Sequence, residues 1–211
     1  MLIPDLLANL IIILGTALTL RWYFGVSVKG QPWAEQRKIF RFFTYLSNIF
    51  SGLTSLLTLV MELIGWGSGS FVFPTWLMLL RLLSTASVTV TFLTVLFFLA
   101  PHAGWQLLYK DDNLYMHVAG PLIAVASFVF LERGTAIPAG LTWLGGLTVI
   151  LYAALYLKKV VFLGEERGGW PDFYYFNQGG RWKLSCTIMI LAGLAISLVL
   201  AGGHNLICSG V

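Results

Sequence analysis

The amino-acid sequence predicts an all-α polytopic membrane protein, a bundle of six transmembrane helices built as one domain over residues 1–211. Two observations predict this fold class. The chain of 211 residues is 58% hydrophobic and only 10% charged, whereas about a quarter of the residues of a soluble domain are charged. The apolar residues also gather into runs of roughly 20 residues, the length that an α-helix needs to cross the hydrocarbon core of a bilayer.

Six such apolar runs follow one another and leave no segment for a separate soluble domain. Each run is continuously apolar rather than alternating, which favours a helix over a strand of a membrane β-barrel. The predicted spans are Pro4–Tyr23, Ile39–Ile64, Phe73–Ala100, Asn113–Leu131, Ile137–Val160 and Trp182–Ala201.

The basic residues predict how this bundle is oriented. Eleven of the 13 Lys and Arg residues lie in the first, third and fifth connections or at the helix ends beside them, and on the opposite side there is only Arg133. Basic loops stay in the cytoplasm, so both termini are expected outside. This topology explains the net charge of +4, and no nucleic-acid partner is expected. The eleven residues are Arg21, Lys29, Arg37, Lys38, Arg41, Lys110, Lys158, Lys159, Arg167, Arg181 and Lys183.

The cysteines and histidines do not have the spacing of a metal site, so neither a metal nor another cofactor is predicted. The three histidines, His102, His117 and His204, lie in three different parts of the chain, which argues against a bis-histidine haem site. Cys208 in the external tail would allow pairing between two copies, and a homo-oligomer is left open.

A polar stripe runs down the second predicted helix. Its members recur at alternating spacings of four and three residues, which places them on one helix face. An unpaired polar group in hydrocarbon is costly, so this face is expected to point into the bundle. The small residues of the stripe are typical of close helix packing. The stripe consists of Thr44, Asn48, Ser51, Ser55, Thr58 and Glu62.

Arg81 is the most unusual residue of the third span. It lies about 12 Å below the outer boundary if each residue contributes 1.5 Å, and a charge at that depth needs a partner. Glu62, near the outer end of the second helix, is the expected partner. Two roles for Arg81 are open: a structural ion pair with Glu62, or binding of a substrate carboxylate.

Thr44 and His117 are predicted to lie at similar depths, each one to two turns inside the cytoplasmic end of its helix. A threonine hydroxyl is a weak nucleophile that needs an adjacent base, and histidine is the usual base near neutral pH. Asn48, one turn from Thr44 on the same face, is the best candidate in the sequence for stabilising an oxyanion. The alternative for His117 is a hydrogen-bonded packing residue.

The longest connection, Phe162–Arg181, has glycine pairs on both sides of an aromatic segment. One interpretation is a belt in which Trp170, Tyr174 and Tyr175 settle at the level of the lipid headgroups. The other is a lid over a pocket that opens towards the cytoplasmic leaflet.

Three short motifs together resemble the androgen-induced family of multi-pass membrane proteins, including its bacterial six-pass relatives. They are FFTYLSNIF at Phe42–Phe50, the His117-to-Pro121 step, and WPDFYYFN at residues 170–177. The resemblance implies a threonine hydrolase of fatty acid esters of hydroxy fatty acids, with Thr44 as nucleophile and His117 as base. It also implies a bacterial inner membrane as the location.

The sequence therefore leads to two hypotheses. The first is an intramembrane hydrolase that places the carbonyl of a membrane lipid ester between Thr44 and His117, with Asn48 and Arg81 as oxyanion or substrate-binding residues. The second is a lipid-binding or scaffolding membrane protein without catalysis, in which the polar stripes join helices. A channel or transporter is less favoured, because the full depth of the bundle contains few ionisable residues.

Overall fold

The structure is a computed structural model that describes residues 2–68, 72–132 and 134–209. The predicted external position of Arg133 lies outside these ranges. Within them the chain is helical, and Phe73 and Gly134 form one isolated β-bridge. The six apolar helices are α1 (Leu2–Trp22), α2 (Phe43–Ser68), α3 (Thr75–Thr94), α4 (Tyr115–Leu131), α5 (Ala139–Leu163) and α6 (Trp182–Ser209).

Five of these helices are long and apolar enough to cross a membrane, and α4 is a shorter apolar helix. Their composition confirms the prediction of an all-α polytopic membrane protein. Large apolar side chains such as Val199 and Leu206 of α6 are about three-quarters exposed. Such an apolar outer surface is solvated by the lipid chains of a bilayer but not by water.

Most helix ends differ from the prediction by a few residues, and two of the differences involve polar residues. The second helix begins at Phe43 rather than Ile39, because Arg37–Arg41 forms a 3₁₀ turn before it. The last helix continues past Ala201 to Ser209. Its polar residue His204 is accommodated, because the ring stacks on Phe128 at 4.9 Å and its Nδ1 bonds the Phe128 carbonyl at 3.0 Å.

Helix α3 occupies the centre of the bundle. In its most apolar segment 56% of the residues are buried, against 22–39% in the other long helices. It packs against α2, α4, α5 and α6. At one end of the bundle it contributes Leu77, Met78 and Leu82 to the apolar core, and at the other end Val90 packs near Phe43 and Tyr152.

The polar stripe of α2 faces inward as predicted. All six of its members are at most 8% exposed. Two further hydroxyl residues of α2, next to the stripe, bond α3: Ser47 lies 3.0 Å from Thr91, and Thr54 donates to Ser84 at 2.8 Å. These contacts are the helix-to-helix hydrogen bonds that small polar residues form in membranes.

Helix α1 meets α4 through a glycine. The ring of Tyr115 lies directly against Gly15, where a Cβ atom would overlap it. The Tyr115 hydroxyl donates to the Ile12 carbonyl at 2.7 Å and lies 3.1 Å from the Thr16 hydroxyl. Gly15 therefore allows the close approach of an aromatic ring to the α1 backbone.

Candidate functional site

A cavity of about 330 Å³ lies between α2, α3, α5 and α6 at the end of the bundle where α2 begins. Its volume falls at the lower end of the range for small-molecule sites. Most of its wall is apolar, with Phe97, Phe98 and Met189 among the lining residues. The polar side chains on the wall are Thr44, Thr91, Thr94, Tyr152, Tyr174 and Ser185.

Thr44 belongs to the first turn of α2 and is 8% exposed. Its backbone carbonyl accepts hydrogen bonds from Ser47 at 3.0 Å and from Asn48 at 2.8 Å. These bonds fix the turn that presents the Thr44 side chain to the cavity.

Tyr174 of the last connection covers the start of α2. Its hydroxyl oxygen accepts a hydrogen bond from the Phe43 N–H at 2.9 Å, and Tyr174 and Thr44 both line the cavity. The first N–H groups of a helix have no partner inside the helix. A tyrosine hydroxyl thus caps α2 at the residue before Thr44.

The connection is held in this position by Asp172. Its carboxylate accepts hydrogen bonds from the Phe176 N–H at 2.8 Å, the Asn177 N–H at 2.7 Å and the Tyr156 hydroxyl at 3.0 Å. The Tyr156 oxygen in turn accepts the N–H of Tyr174 at 3.1 Å. Between Tyr174 and Phe176 the backbone passes through a left-handed conformation, with φ 54° at Tyr175.

This network keeps an otherwise strained turn in place. Tyr174 and Phe176 both line the cavity, so the segment forms part of its wall, and the lid described in the sequence analysis stays a prediction. Burial raises the pKa of Tyr174, while hydrogen bonds from Thr44 and from the start of α2 act in the opposite direction. With the pKa raised, the phenol is protonated at neutral pH and retains a proton to donate.

His117 lies on the Tyr115–Ala119 π-turn that opens α4 and is 7% exposed. Its Nδ1 is 2.5 Å from the Leu107 carbonyl oxygen. A carbonyl oxygen only accepts, so Nδ1 bears the proton of the neutral ring and Nε2 is its basic nitrogen. His117 is not among the residues that line the cavity, and in the described chain it makes no hydrogen bond to Thr44.

Asn48 connects the two predicted catalytic segments. Its side-chain amide donates to the Thr44 carbonyl at 2.8 Å and to the Met116 carbonyl, next to His117, at 3.2 Å. An asparagine amide has two N–H donors, and both are engaged here. Its predicted oxyanion role stays a prediction, and in this arrangement Asn48 fixes α4 to α2.

Arg81 is fully buried, but it lies away from the cavity, and its partner is not the predicted one. Its Nε donates to Glu132 Oε1 at 2.7 Å and its Nη2 bonds the same oxygen. The prediction that Glu62 is the partner of Arg81 is therefore wrong. The sequence places Glu62 on the neighbouring helix, but the guanidinium reaches the end of α4 instead.

Among the described residues no group of three or more His, Cys, Asp or Glu side chains is arranged to hold a metal ion. Comparisons with protein-family models, with curated proteins and with solved structures find no match to this chain. The interpretation of the site therefore depends on its geometry and on the sequence motifs.

Sequence reasoning missed Tyr174 and Asp172 as site residues. The signal was present in the WPDFYYFN motif: an aspartate after a proline is typical of a turn whose carboxylate bonds the N–H groups that follow. What the motif does not give is the distant contact from Tyr174 to Phe43.

Proposed function

We propose that the protein is an intramembrane hydrolase of lipid esters with Thr44 as its nucleophile and His117 as its general base. The observation that carries the proposal is the position of the Thr44 hydroxyl on the wall of a largely apolar cavity, beside a second hydroxyl, that of Tyr174. An acyl chain can pack against the apolar wall of the cavity, and the Thr44 hydroxyl would then lie next to the ester carbonyl.

In the proposed reaction Thr44 Oγ attacks the ester carbonyl and its proton passes to His117 Nε2. The tetrahedral intermediate collapses to an acyl-threonine, and the leaving alkoxide takes the proton from His117. Water then attacks the acyl-threonine while His117 takes one of its protons, and His117 returns that proton to Thr44 Oγ as the fatty acid leaves. The Nδ1 bond to Leu107 supports this role because it fixes the ring tautomer that leaves Nε2 basic.

Tyr174 is the donor that we propose for the oxyanion. Its oxygen already accepts the N–H of Phe43, the residue before Thr44, so its own proton is directed elsewhere. A neutral phenol aimed at a developing oxyanion stabilises the transition state more than the ground state. Asn48 then serves to hold the two catalytic segments together.

Thr44 and His117 must approach each other when substrate binds, because no hydrogen bond joins them in the described chain. Catalytic hydrogen bonds are often long or misaligned in unliganded enzymes and tighten in the substrate complex. The lid, which is fixed to the α2 start through Tyr174, is the element that we propose to adjust.

The test is labelling with a fluorophosphonate probe, followed by hydrolysis assays with a fatty acid ester of a hydroxy fatty acid. Wild type is expected to be labelled at Thr44, and Thr44→Ala to lose both labelling and turnover. Thr94→Ala is the matched control, because Thr94 lines the same cavity, and it is expected to retain both. His117→Ala should lose turnover, whereas His102→Ala, at an exposed position, should not.

A second candidate function is lipid binding without catalysis. It is favoured by the separation of His117 from the cavity wall and by the apolar character of that wall. In that case lipid copurifies with the protein, but no residue is labelled and Thr44→Ala leaves lipid binding unchanged. Turnover that depends on Thr44 excludes this candidate.

We further propose that the cavity end of the bundle faces the cytoplasm of a bacterial cell, across its inner membrane, with both termini outside. The support is the concentration of basic residues in the connections at that end, and the resemblance to bacterial six-pass relatives. A cysteine introduced at Lys29 is expected to react with an impermeant maleimide only when the reagent is on the cytoplasmic side. A cysteine introduced at Thr135 is expected to react only when the reagent is outside the cell.

A further inference from the structure

Four ionisable side chains are buried at the end of the bundle opposite the cavity. Asp5 of α1, Glu62 of α2, Arg81 of α3 and Glu132 after α4 are each at most 2% exposed. Glu62 is 18 residues from Thr44 along α2, which corresponds to roughly 27 Å at 1.5 Å per residue. The cluster is therefore separate from the proposed catalytic site.

The single cation of the cluster is committed to one carboxylate. Arg81 Nε and Nη2 bond Glu132 Oε1, and Nη1 donates to the Ser55 hydroxyl at 2.7 Å. If all three carboxyl groups were ionised, the cluster would have two negative charges in excess. Burial of unpaired charge is among the most costly arrangements in a protein interior.

Asp5 of α1 and Glu62 of α2 are both buried where these two helices pack against each other. Asp5 Oδ1 accepts hydrogen bonds from Ser127 at 2.7 Å and Asn9 at 3.3 Å, both neutral donors. Two ionised carboxylates have no hydrogen between them to share. A hydrogen bond between the two groups therefore requires a proton.

The cluster also lacks donors. Among the described residues, three buried acceptor oxygens at this end of the bundle have no hydrogen-bond partner: Asn9 Oδ1, Glu62 Oε2 and Glu132 Oε2. The three residues are themselves at most 2% exposed. Buried acceptors are almost always paired, so a proton on one of these carboxyl groups would supply a donor that the cluster lacks.

We propose that Asp5 and Glu62 form a proton-binding site, in which one acid and one carboxylate hold a single proton between α1 and α2 near neutral pH. A proton fits better than a metal ion, because the described residues contain no group of carboxyls arranged for a metal. A proton joins a carboxyl oxygen of Asp5 directly to one of Glu62, and it removes one of the two excess negative charges.

The charged and titratable groups that face this pair are Arg81 from α3 and Glu132 from the end of α4. From α6, His204 stacks on Phe128, the residue after Ser127. The proton thus attaches α1 to the bundle. Its loss leaves two carboxylates facing each other, and the repulsion is expected to loosen α1 from α2.

The test is modification of the full-length protein in detergent or liposomes with dicyclohexylcarbodiimide, which reacts with protonated carboxyls in apolar surroundings. The expected result is an adduct on Asp5 or Glu62, identified by mass spectrometry, near neutral pH. Above the titration midpoint, labelling should fall about tenfold per pH unit, as the protonated fraction does. Glu132 is the internal control: it is equally buried but paired with Arg81, and it should remain unlabelled.

Asp5→Asn and Glu62→Gln provide the second measurement. Each is expected to fold, because the amide replaces the protonated carboxyl and supplies a donor. The thermal stability of wild type should fall as the pH rises through the midpoint, and that of Glu62→Gln should not. The proposal would be overturned if Glu132 were labelled equally, or if neither Asp5 nor Glu62 formed an adduct. It would also be overturned if Na⁺ but not K⁺ protected the pair from labelling, a result that would indicate a sodium site.

Discussion

The hydroxyl oxygen of Tyr174 accepts a hydrogen bond from the backbone N–H of Phe43 at 2.9 Å, across 131 positions of sequence. This bond joins the connection between α5 and α6 to the first turn of the helix that bears Thr44. It means that the proposed nucleophile and the lid of the cavity are positioned as one unit. Movement of the lid therefore changes the surroundings of Thr44.

Tyr174→Phe is expected to lower both stability and ester turnover. The loss of a helix cap costs about 1 kcal/mol, and the loss of an oxyanion donor lowers kcat by about 10²–10³. Thermal unfolding and single-turnover hydrolysis measure the two effects. Unchanged kcat with lowered stability would show that the hydroxyl caps α2 and does nothing in the reaction.

The matched control is the neighbouring residue. Tyr175 has the same side chain in the same loop, is 37% exposed and lies outside the cavity wall. Tyr175→Phe retains the aromatic ring and should leave both stability and turnover at the wild-type level.

Asn48→Ala is expected to destabilise the protein by about 1–3 kcal/mol, because it leaves the buried Met116 carbonyl without its donor. If Asn48 only holds α4 against α2, its loss should shift His117, and both kcat and KM of Asn48→Ala should then differ from those of wild type. Asn113→Ala removes the same side chain just before α4, at a partly exposed site, and serves as the control. A variant with wild-type stability would contradict the role assigned to Asn48.

The fold was largely predictable because a bilayer imposes a simple rule on sequence: spans are long and apolar, and polar residues on them face inward. The stripe from Thr44 to Glu62 follows the period of an α-helix, and the structure buries all of it. The exact helix ends were less predictable. Arg37–Arg41 form a 3₁₀ turn, although their residue types are also compatible with an α-helix. Helix propensity does not distinguish a 3₁₀ turn from the first turn of an α-helix.

The contacts between distant residues were not predictable from one sequence. Arg81 was expected to bond Glu62 because those residues lie on neighbouring helices, but the choice of Glu132 depends on where α4 ends relative to α3. The contact of Tyr174 with the start of α2 likewise depends on how a loop of glycines and aromatics folds back. Periodicity describes one helix at a time and contains no information about either contact.

Gly15→Ala is expected to destabilise the bundle although alanine is the better helix former. Alanine gains about 1 kcal/mol of helix propensity over glycine, but the added methyl overlaps the Tyr115 ring, and overpacking typically costs about 1–3 kcal/mol. The Tyr115 hydroxyl bonds Ile12, so the ring cannot move away without losing that bond.

Gly25→Ala is the control for this substitution, because nothing lies within 4 Å of a Cβ atom added there. Its stability should equal or exceed that of wild type. If Gly15→Ala were as stable as Gly25→Ala in thermal unfolding, the tight contact of Tyr115 with α1 would be contradicted.

Glu132→Gln and Glu62→Gln are expected to lower stability to very different extents, although both replace a buried glutamate by its amide. The first leaves the Arg81 guanidinium without a counter-charge in the interior, which costs about 3–5 kcal/mol. The second replaces a group that forms no ion pair with any of the described residues, so it should cost far less. Thermal unfolding of the two variants in the same detergent measures the difference.

The double variant Arg81→Met with Glu132→Gln separates loss of the charge pair from loss of packing. Removing both charges relieves the unpaired guanidinium, so the double variant should recover part of the stability lost in Glu132→Gln. The second double variant combines Arg81→Met with Glu62→Gln. Its stability should not rise above that of Glu62→Gln, because Glu132 then remains buried without its partner. Equal recovery in both double variants would mean that Arg81 is shared between the two glutamates, and the assignment of Glu132 as its partner would fall.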